Sequence, residues 1–260
     1  MPKYAILGTT GKTGGSILTL LLKSPNNTIN AYVRSKSKLL SQVPYLQENK
    51  SVHIFEGSLT DIDLIASCIS NVDAIFSTIG VNENTPGTRM IQDSAQAIVA
   101  ALCQNGPVKD EKRVPKIIFL SSASLNPVMH AHVPKFVQWF VSTAMSNAYA
   151  DLTLAMDYLR LHKSWLNVTF IQPGGLVEDE QKGHRLSLED SGGGFVSYLD
   201  LAAGMIEVAQ SDGYEWKGVS VVPTSKDVKF EWKAPKQLVR GLVWHYLPSI
   251  GWIAKYIGVF

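Results

Sequence analysis

The chain has 260 residues, 45% of them apolar and 18% charged, a balance that suits one soluble domain with a sizeable core. A net charge of +2 without any block of like charge gives no footprint for a nucleic-acid partner. No stretch reaches the ~18 uninterrupted apolar residues of a membrane span, and the first residues run straight into a strand pattern without a secretory leader, so a cytoplasmic location is expected.

Tyr4 to Leu7 is a short apolar run suited to a buried strand, and Ile17 to Leu22 reads as a helix. Between them Gly8, Gly11 and Gly14 are spaced G-x-x-G-x-x-G. A tight strand-to-helix turn needs a residue free of Cβ crowding, and a pyrophosphate approaches the backbone closely only where side chains are absent. The helix that follows points its free N–H groups and positive dipole end at that phosphate. Gly11-Lys12-Thr13 imitates the end of a P-loop, but that motif needs glycine where Ile6 stands. Thr28 to Val33 is the second strand and runs into Arg34-Ser35-Lys36-Ser37-Lys38. An acid at this strand end would bind the ribose hydroxyl of NAD, whereas an arginine accommodates the 2′-phosphate of NADP. Arg34 offers a planar fork for phosphate oxygens with Ser35 beside it, so NADP(H) is the expected cofactor rather than a solvated basic loop.

Val52 to Glu56 is a third strand, closed by Gly57-Ser58-Leu59-Thr60-Asp61, with Thr60 or Asp61 capping a helix from Leu64 to Ile69. Asp73 to Ile79 is the fourth strand and Thr88 to Gln104 an alanine-rich helix. Lys116 to Leu120 is the fifth strand, ending in Ser121-Ser122-Ala123-Ser124, and Leu125 to Phe140 is uneven. Ala148 to His162 is a helix and Asn167 to Gln172 the sixth strand, ending in Pro173-Gly174-Gly175. Alternating strands and helices imply a doubly wound α/β domain with a parallel sheet. Beyond Leu176 come a short strand from His184 to Leu188, a helix from Asp200 to Gln210 and a strand from Lys217 to Pro223. Pro235 to Phe260 holds two short amphipathic helices broken by Pro248. Ile250, Ile253 and Ile257, after Ser249 as a cap, are expected to line or roof a substrate crevice, with a membrane-surface role as the alternative, and residues 176–260 form a small cap on a single domain. Cys68 and Cys103 read as reduced core residues, and no third ligand accompanies His130 and His132 to make a metal site.

These motifs resemble the short-chain dehydrogenase superfamily, in its atypical NmrA-like branch. The resemblance is carried by Gly8-Thr9-Thr10-Gly11-Lys12-Thr13-Gly14, Arg34, Thr78-Ile79-Gly80, Ser121-Ser122-Ala123-Ser124, Pro173-Gly174 and Ser197 to Ala202. Val33 to Leu39, Ser122 to Pro127 and Tyr149-Ala150-Asp151 are similar to averufin-oxidase-like proteins of fungal polyketide pathways. The likeness implies nucleotide contacts from Gly8, Thr10, Gly11, Lys12, Thr13, Gly14, Arg34 and Ser35, then Ser58, Leu59, Thr78, Ile79, Gly80, Pro173 and Gly174. It also implies a strand-end serine, Ser121 or Ser122, paired with a helix tyrosine, Tyr149; Ser122 is favoured because it sits just past the apolar strand, where a side chain can face the crevice. The family's tyrosine is followed four residues on by a lysine, and here Thr153 stands at that offset. A phenol of ordinary pKa, ~10, is a weak acid–base catalyst at neutral pH without that cation. Asp151 is the nearest replacement, provided the helix starts near Ala150, because residues two apart on a regular helix do not face each other. Glu178, His130 and His132 are lesser candidates.

The expected function is an NADP(H)-holding tailoring enzyme of fungal natural-product biosynthesis that takes a bulky polycyclic small molecule. Hydride transfer to a carbonyl or quinone and a redox-neutral, isomerase-like rearrangement both remain open. The contrasting class is an NADPH-sensing regulator without catalysis, which would need a large exposed partner surface and no closed pocket.

Overall fold

The computed structural model describes residues 1–81, 83–106, 114–225 and 227–258. Lys3–Leu7 (β1) and Lys12–Leu21 (α1) flank the glycines. Thr28–Val33 (β2), Lys36–Gln42 (α2), Val52–Glu56 (β3), Ile62–Cys68 (α3), Ala74–Ser77 (β4) and Met90–Gln104 (α4) follow. Next come Lys116–Leu120 (β5), Lys135–Ala144 (α5), Ser146–Leu161 (α6) and Asn167–Ile171 (β6). The remainder comprises Gly175–Val177 (β7), His184–Ser187 (β8), Phe195–Ser197 (β9), Tyr198–Gln210 (α7), Gly218–Pro223 (β10), Ala234–Tyr246 (α8) and Pro248–Tyr256 (α9).

The main sheet runs β3-β2-β1-β4-β5-β6-β10-β8, parallel throughout except that β8 pairs antiparallel with β10. Side chains alternate across it. Tyr4 and Ile6 of β1 join Ile17, Leu18 and Leu21 of α1 and Leu201 and Met205 of α7 in one core. Ala5 and Leu7 face the other way, into a core with Ile98 of α4 and Leu152 and Leu159 of α6. Helices therefore cover both faces, and the carboxyl ends of β1, β4, β5 and β6 open on one edge, where ligands of such sheets bind.

The structure departs from the sequence reading in several places. The basic segment after β2, which carries no element in that reading, runs into the short helix α2, started by Ser35, whose hydroxyl accepts from the Lys38 N–H. The uneven segment contains α5, begun at Pro134, which cannot donate a backbone hydrogen bond and so sits comfortably before the first turn. A second, two-stranded parallel sheet, β7 with β9, was not expected, because three-residue strands carry almost no periodic signal. Cys103 is exposed on α4 rather than in the core, while Cys68 is buried. Ser249 does not cap α9; Leu247 holds that position with Pro248 in the first turn.

The tail packs differently from expectation as well. α8 lies against α5 so closely that a Cβ on Gly241 would collide with the Ala144 carbonyl oxygen. Trp244, 2% exposed, stands edge-on to Trp252 at 5.2 Å between ring centres, and Gly251 presses its backbone on the same indole. Burying one such ring is worth ~1.5–3 kcal/mol. Ile250, Ile253 and Ile257 do not line a crevice: they are 52%, 60% and 64% exposed. The single buried backbone position of α9, Gly251, lies on its opposite side and fixes that orientation.

Candidate active site

The glycine turn is built around close backbone approach. Gly8 adopts φ +94, a left-handed conformation open to glycine, and its carbonyl accepts from the Gly11 N–H at 2.9 Å. A Cβ on Gly14 would collide with the Gly8 carbonyl oxygen and come within 2.8 Å of Thr78 Oγ1. Thr78 Oγ1 in turn donates to the Leu7 carbonyl at 2.8 Å, tying the end of β4 to the end of β1. The N-cap of α1 is Gly11, which has no side chain to satisfy the first-turn N–H groups. A helix N-terminus without its own cap, at the carboxyl edge of a parallel sheet, suits a pyrophosphate. Thr10 and Lys12 rim the turn, and Thr13 is buried beneath it.

Lys12 reaches across to the segment after β7. Its ammonium lies 2.7 Å from Glu178 and 5.4 Å from the centre of the Tyr198 ring. The hydrogen bond that Lys12 donates to Glu178 raises the Lys12 pKa, and the same bond lowers that of Glu178. A cavity of about 420 Å³ lies alongside, between the glycine turn, α1, α2 and this strap. Glu178 is therefore engaged beside the glycine turn, at the rim of this cavity.

Arg34 is exposed at the end of β2, beside Ser35. Glu56, at the end of β3, accepts from the Lys36 N–H at 3.0 Å. Ser58 is held by Tyr32, whose hydroxyl donates to the Ser58 carbonyl at 2.7 Å, and burial, then the Asp61 charge, push that phenol up to about 12. Leu59 packs on the core edge next to it. Asp61, of the two residues expected as caps, begins α3 by accepting from the Leu64 N–H. Beyond β4, Ile79 is half-buried and Gly80 has open space around it. Pro173 is buried at the end of β6 with its carbonyl accepting from the Ala123 N–H, and Gly174 faces the Gly194 carbonyl.

Ser122 and Tyr149 meet. Ser122 Oγ donates to Tyr149 Oη at 3.3 Å, and it also accepts from the Ser124 N–H, which fixes its position at the end of β5. Ser121 turns inward to the Met156 sulfur. Thr153, where the family has lysine, is exposed on α6 and supplies no cation to the phenol. His130 is half-buried, its pKa lowered by that burial, and His132 is exposed. Among the described residues no cluster of three or more His, Cys, Asp or Glu is placed to hold a metal.

Asp151 has a different position from the one expected. α6 starts at Ser146 and not near Ala150, so Tyr149 and Asp151 fall on different sides of a regular helix. The Asp151 carboxylate is 2% exposed and accepts from the Ile91 and Gln92 N–H groups at 3.0 and 2.9 Å. It caps α4, whose own N-cap, Arg89, makes no capping side-chain bond. The residue that sequence reasoning missed is Asn84. Buried at 2%, it accepts from the Asn147 and Ala148 N–H groups at 2.7 and 3.3 Å and donates to the Gly241 carbonyl at 3.1 Å. It thus caps α6, whose N-cap Met145 cannot, and joins the segment after β4 to α8. Asparagine is a common cap residue, but its partner lies 63 positions away, beyond any local pattern.

The family model for NAD(P)H-binding proteins matches residues 8–212. The oxidoreductase ordB of Dothistroma septosporum is 44% identical over 259 residues, covering 99% of this chain and 96% of that protein. The oxidoreductases stcQ of Emericella nidulans and aflX of Aspergillus parasiticus are each 40% identical, over 100% and 99% of this chain and 96% of each relative. Among solved structures, a short-chain dehydrogenase/reductase from Veillonella parvula in complex with NADP superposes with a TM-score of 0.68 at 19% identity, over 87% of this chain and 97% of that one. ChuY, described as an anaerobillin reductase of Escherichia coli O157:H7, gives 0.63 at 20% identity, over 88% and 100%.

Proposed function

The chain belongs to the NAD(P)H-binding family, and from that premise we propose that it is an NADP(H)-dependent reductase of carbonyl or quinone groups on bulky, largely apolar polycyclic molecules, in fungal natural-product tailoring. The observation that carries this reading is the Ser122–Tyr149 pair at the carboxyl edge of the sheet. Full-length relatives named as oxidoreductases in fungi support the reaction class and the setting.

In this reading Gly8, Thr10, Gly11, Lys12, Thr13 and Gly14 hold the pyrophosphate. Arg34 and Ser35 take the 2′-phosphate, Ser58 and Leu59 the adenine side, and Thr78, Ile79, Gly80, Pro173 and Gly174 the nicotinamide side. Bound NADPH supplies a hydride to the substrate carbon. Ser122 holds the substrate oxygen, and the Tyr149 hydroxyl delivers the proton that oxygen needs once the hydride has arrived. With Thr153 in the place of the lysine, the pair suits a quinone that takes the hydride at a ring carbon conjugated to its carbonyl, because the oxygen then carries the charge as a delocalised enolate and needs only a weak proton donor. The redox-neutral rearrangement loses its carboxylic acid, since Asp151 is spent on α4.

The test is anaerobic single-turnover reduction of polycyclic hydroxyquinones, followed at the nicotinamide absorbance. Stoichiometric NADPH consumption is expected, with Tyr149→Phe and Ser122→Ala each slower by ~10²-fold. Product formed without NADPH consumption would restore the rearrangement. Nucleotide titrations extend the test: Arg34→Ala should weaken NADPH by ~1.5–3 kcal/mol and leave NADH nearly unchanged.

A further inference from the structure

α9 turns an apolar face to solvent. Leu247, Ile250, Ile253 and Ile257 are each more than half exposed, flanked by Trp252 at 52% and Tyr256 at 93%. At 100° per residue Ile250, Ile253 and Ile257 share one narrow stripe, with Tyr256 and Trp252 continuing it to one side. The helix cannot roll this stripe inward, because a Cβ on Gly251 already has no room against the Trp244 indole. A contiguous apolar patch of this kind marks an interaction surface.

Its charge selects the partner. Residues 228–258 carry five cations, Lys229, Lys233, Lys236, Arg240 and Lys255, against one anion, Glu231. Formally that is +4, of which the pairing of Lys229 and Lys255 with acids outside this stretch leaves +2. Lys229 and Lys255 are paired with Asp179 and Glu83, while Lys233 and Lys236 are exposed at the start of α8. Two copies of this chain meeting through the patch would bring like charge together. An anionic lipid surface attracts the same charges, accepts isoleucine and leucine at its acyl boundary, and is the environment that tryptophan and tyrosine prefer.

We propose that α9 and the turn before it lie in the interface of an anionic bilayer, making the protein a peripheral, charge-dependent membrane binder. No helix among the described residues is long and apolar enough to cross a membrane, so the attachment is to one leaflet. The proposal stands apart from the reaction assigned above.

The experiment is sedimentation of the full chain with vesicles of phosphatidylcholine alone or with roughly 30 mol % phosphatidylserine. The wild type should pellet with the anionic vesicles, weakly with the neutral ones, and less as salt rises. Ile253→Glu should lower the partition at least tenfold, and Lys236→Gln about fivefold. Both sites are exposed, and unchanged nucleotide binding would show that the variants are folded. A wild type that stays in the supernatant with both vesicles, or an Ile253→Glu protein that still pellets, overturns the proposal. So does a dimer in ultracentrifugation that Ile253→Glu dissolves, which would give the patch to a second copy.

Discussion

Of the helices that begin at the carboxyl edge of the sheet or beside it, α1, α4 and α6 have no capping side chain of their own, and their N-termini are treated in two ways. α1 starts at a glycine with no capping side chain. α4 and α6 also lack caps of their own, yet each is capped in trans: Asp151 of α6 accepts from the first turn of α4, and Asn84, just before α4, accepts from the first turn of α6. An uncapped N-terminus exposes donors that an anion can use, whereas a capped one is structurally closed. The difference sets the α1 terminus, the proposed binding position, apart from two that are closed by neighbouring side chains. The reciprocal caps lock α4 and α6 together and set Tyr149, in the first turn of α6, against Ser122.

The largest effect should come from spoiling the open terminus. Gly14→Ala places a methyl on the Gly8 carbonyl and against Thr78, so α1 must move away from β1 and β4. Overpacking of this kind costs ~1–3 kcal/mol in stability. The displacement should cost nucleotide affinity about a hundredfold, measurable by calorimetric titration. Wild-type affinity in that variant would mean the phosphate does not sit on this turn.

The closed termini should respond in stability first. Asp151→Asn removes a carboxylate acceptor from one buried and one part-buried N–H group and should cost ~1–3 kcal/mol, a fall of several degrees in Tm for a chain of this size. Turnover per folded molecule should change by only a few fold. A loss of ~10² in rate with Tm intact would return Asp151 to catalysis. Asn84→Ala removes the cap that starts α6 and should cost ~1–2 kcal/mol. Because that cap also sets Tyr149, kcat should fall while nucleotide affinity holds. Falling affinity with unchanged kcat would contradict a positioning role.

The same contrast explains how much could be read from the chain. The glycine turn is a local pattern: Gly8, Gly11 and Gly14 stand within one turn, and the strand and helix beside them have strong apolar periods, so both were legible. The Ser122–Tyr149 pair was legible through family resemblance, being 27 residues apart on separate elements. Asp151 was misread because a carboxylate near a catalytic tyrosine looks the same in sequence whether it faces substrate or a neighbouring helix. Its partners, Ile91 and Gln92, are some 60 positions away. The tail was misread for a related reason. Ile250, Ile253 and Ile257 form an amphipathic stripe, but which way it faces is decided by Gly251 against Trp244, a contact no periodicity contains.

The smallest effect concerns the strap across the open terminus, where Lys12 meets Glu178 at 2.7 Å. Both side chains are largely exposed, 49% and 64%, so solvent screens the pair and its worth to stability is ~0–1 kcal/mol. Its consequence for binding is more specific, because a phosphate arriving at the turn competes with Glu178 for the same ammonium. Glu178→Gln should leave Tm nearly unchanged and tighten nucleotide binding by roughly threefold. The pH dependence has a definite sign. Glu178 is held below its ordinary 4.5, so the pair is fully formed above that value and is lost only as pH falls through the lowered pKa. Lys12 is held above 10.5, so at the alkaline end the pair survives until pH rises through that raised value. Between about pH 5 and 8 neither partner titrates, and the affinity ratio of variant to wild type should therefore be flat. A ratio that changes within that window would show that some group other than this pair controls access to the turn. Looser binding in Glu178→Gln would make Glu178 an organiser of Lys12 for the phosphate and not its competitor.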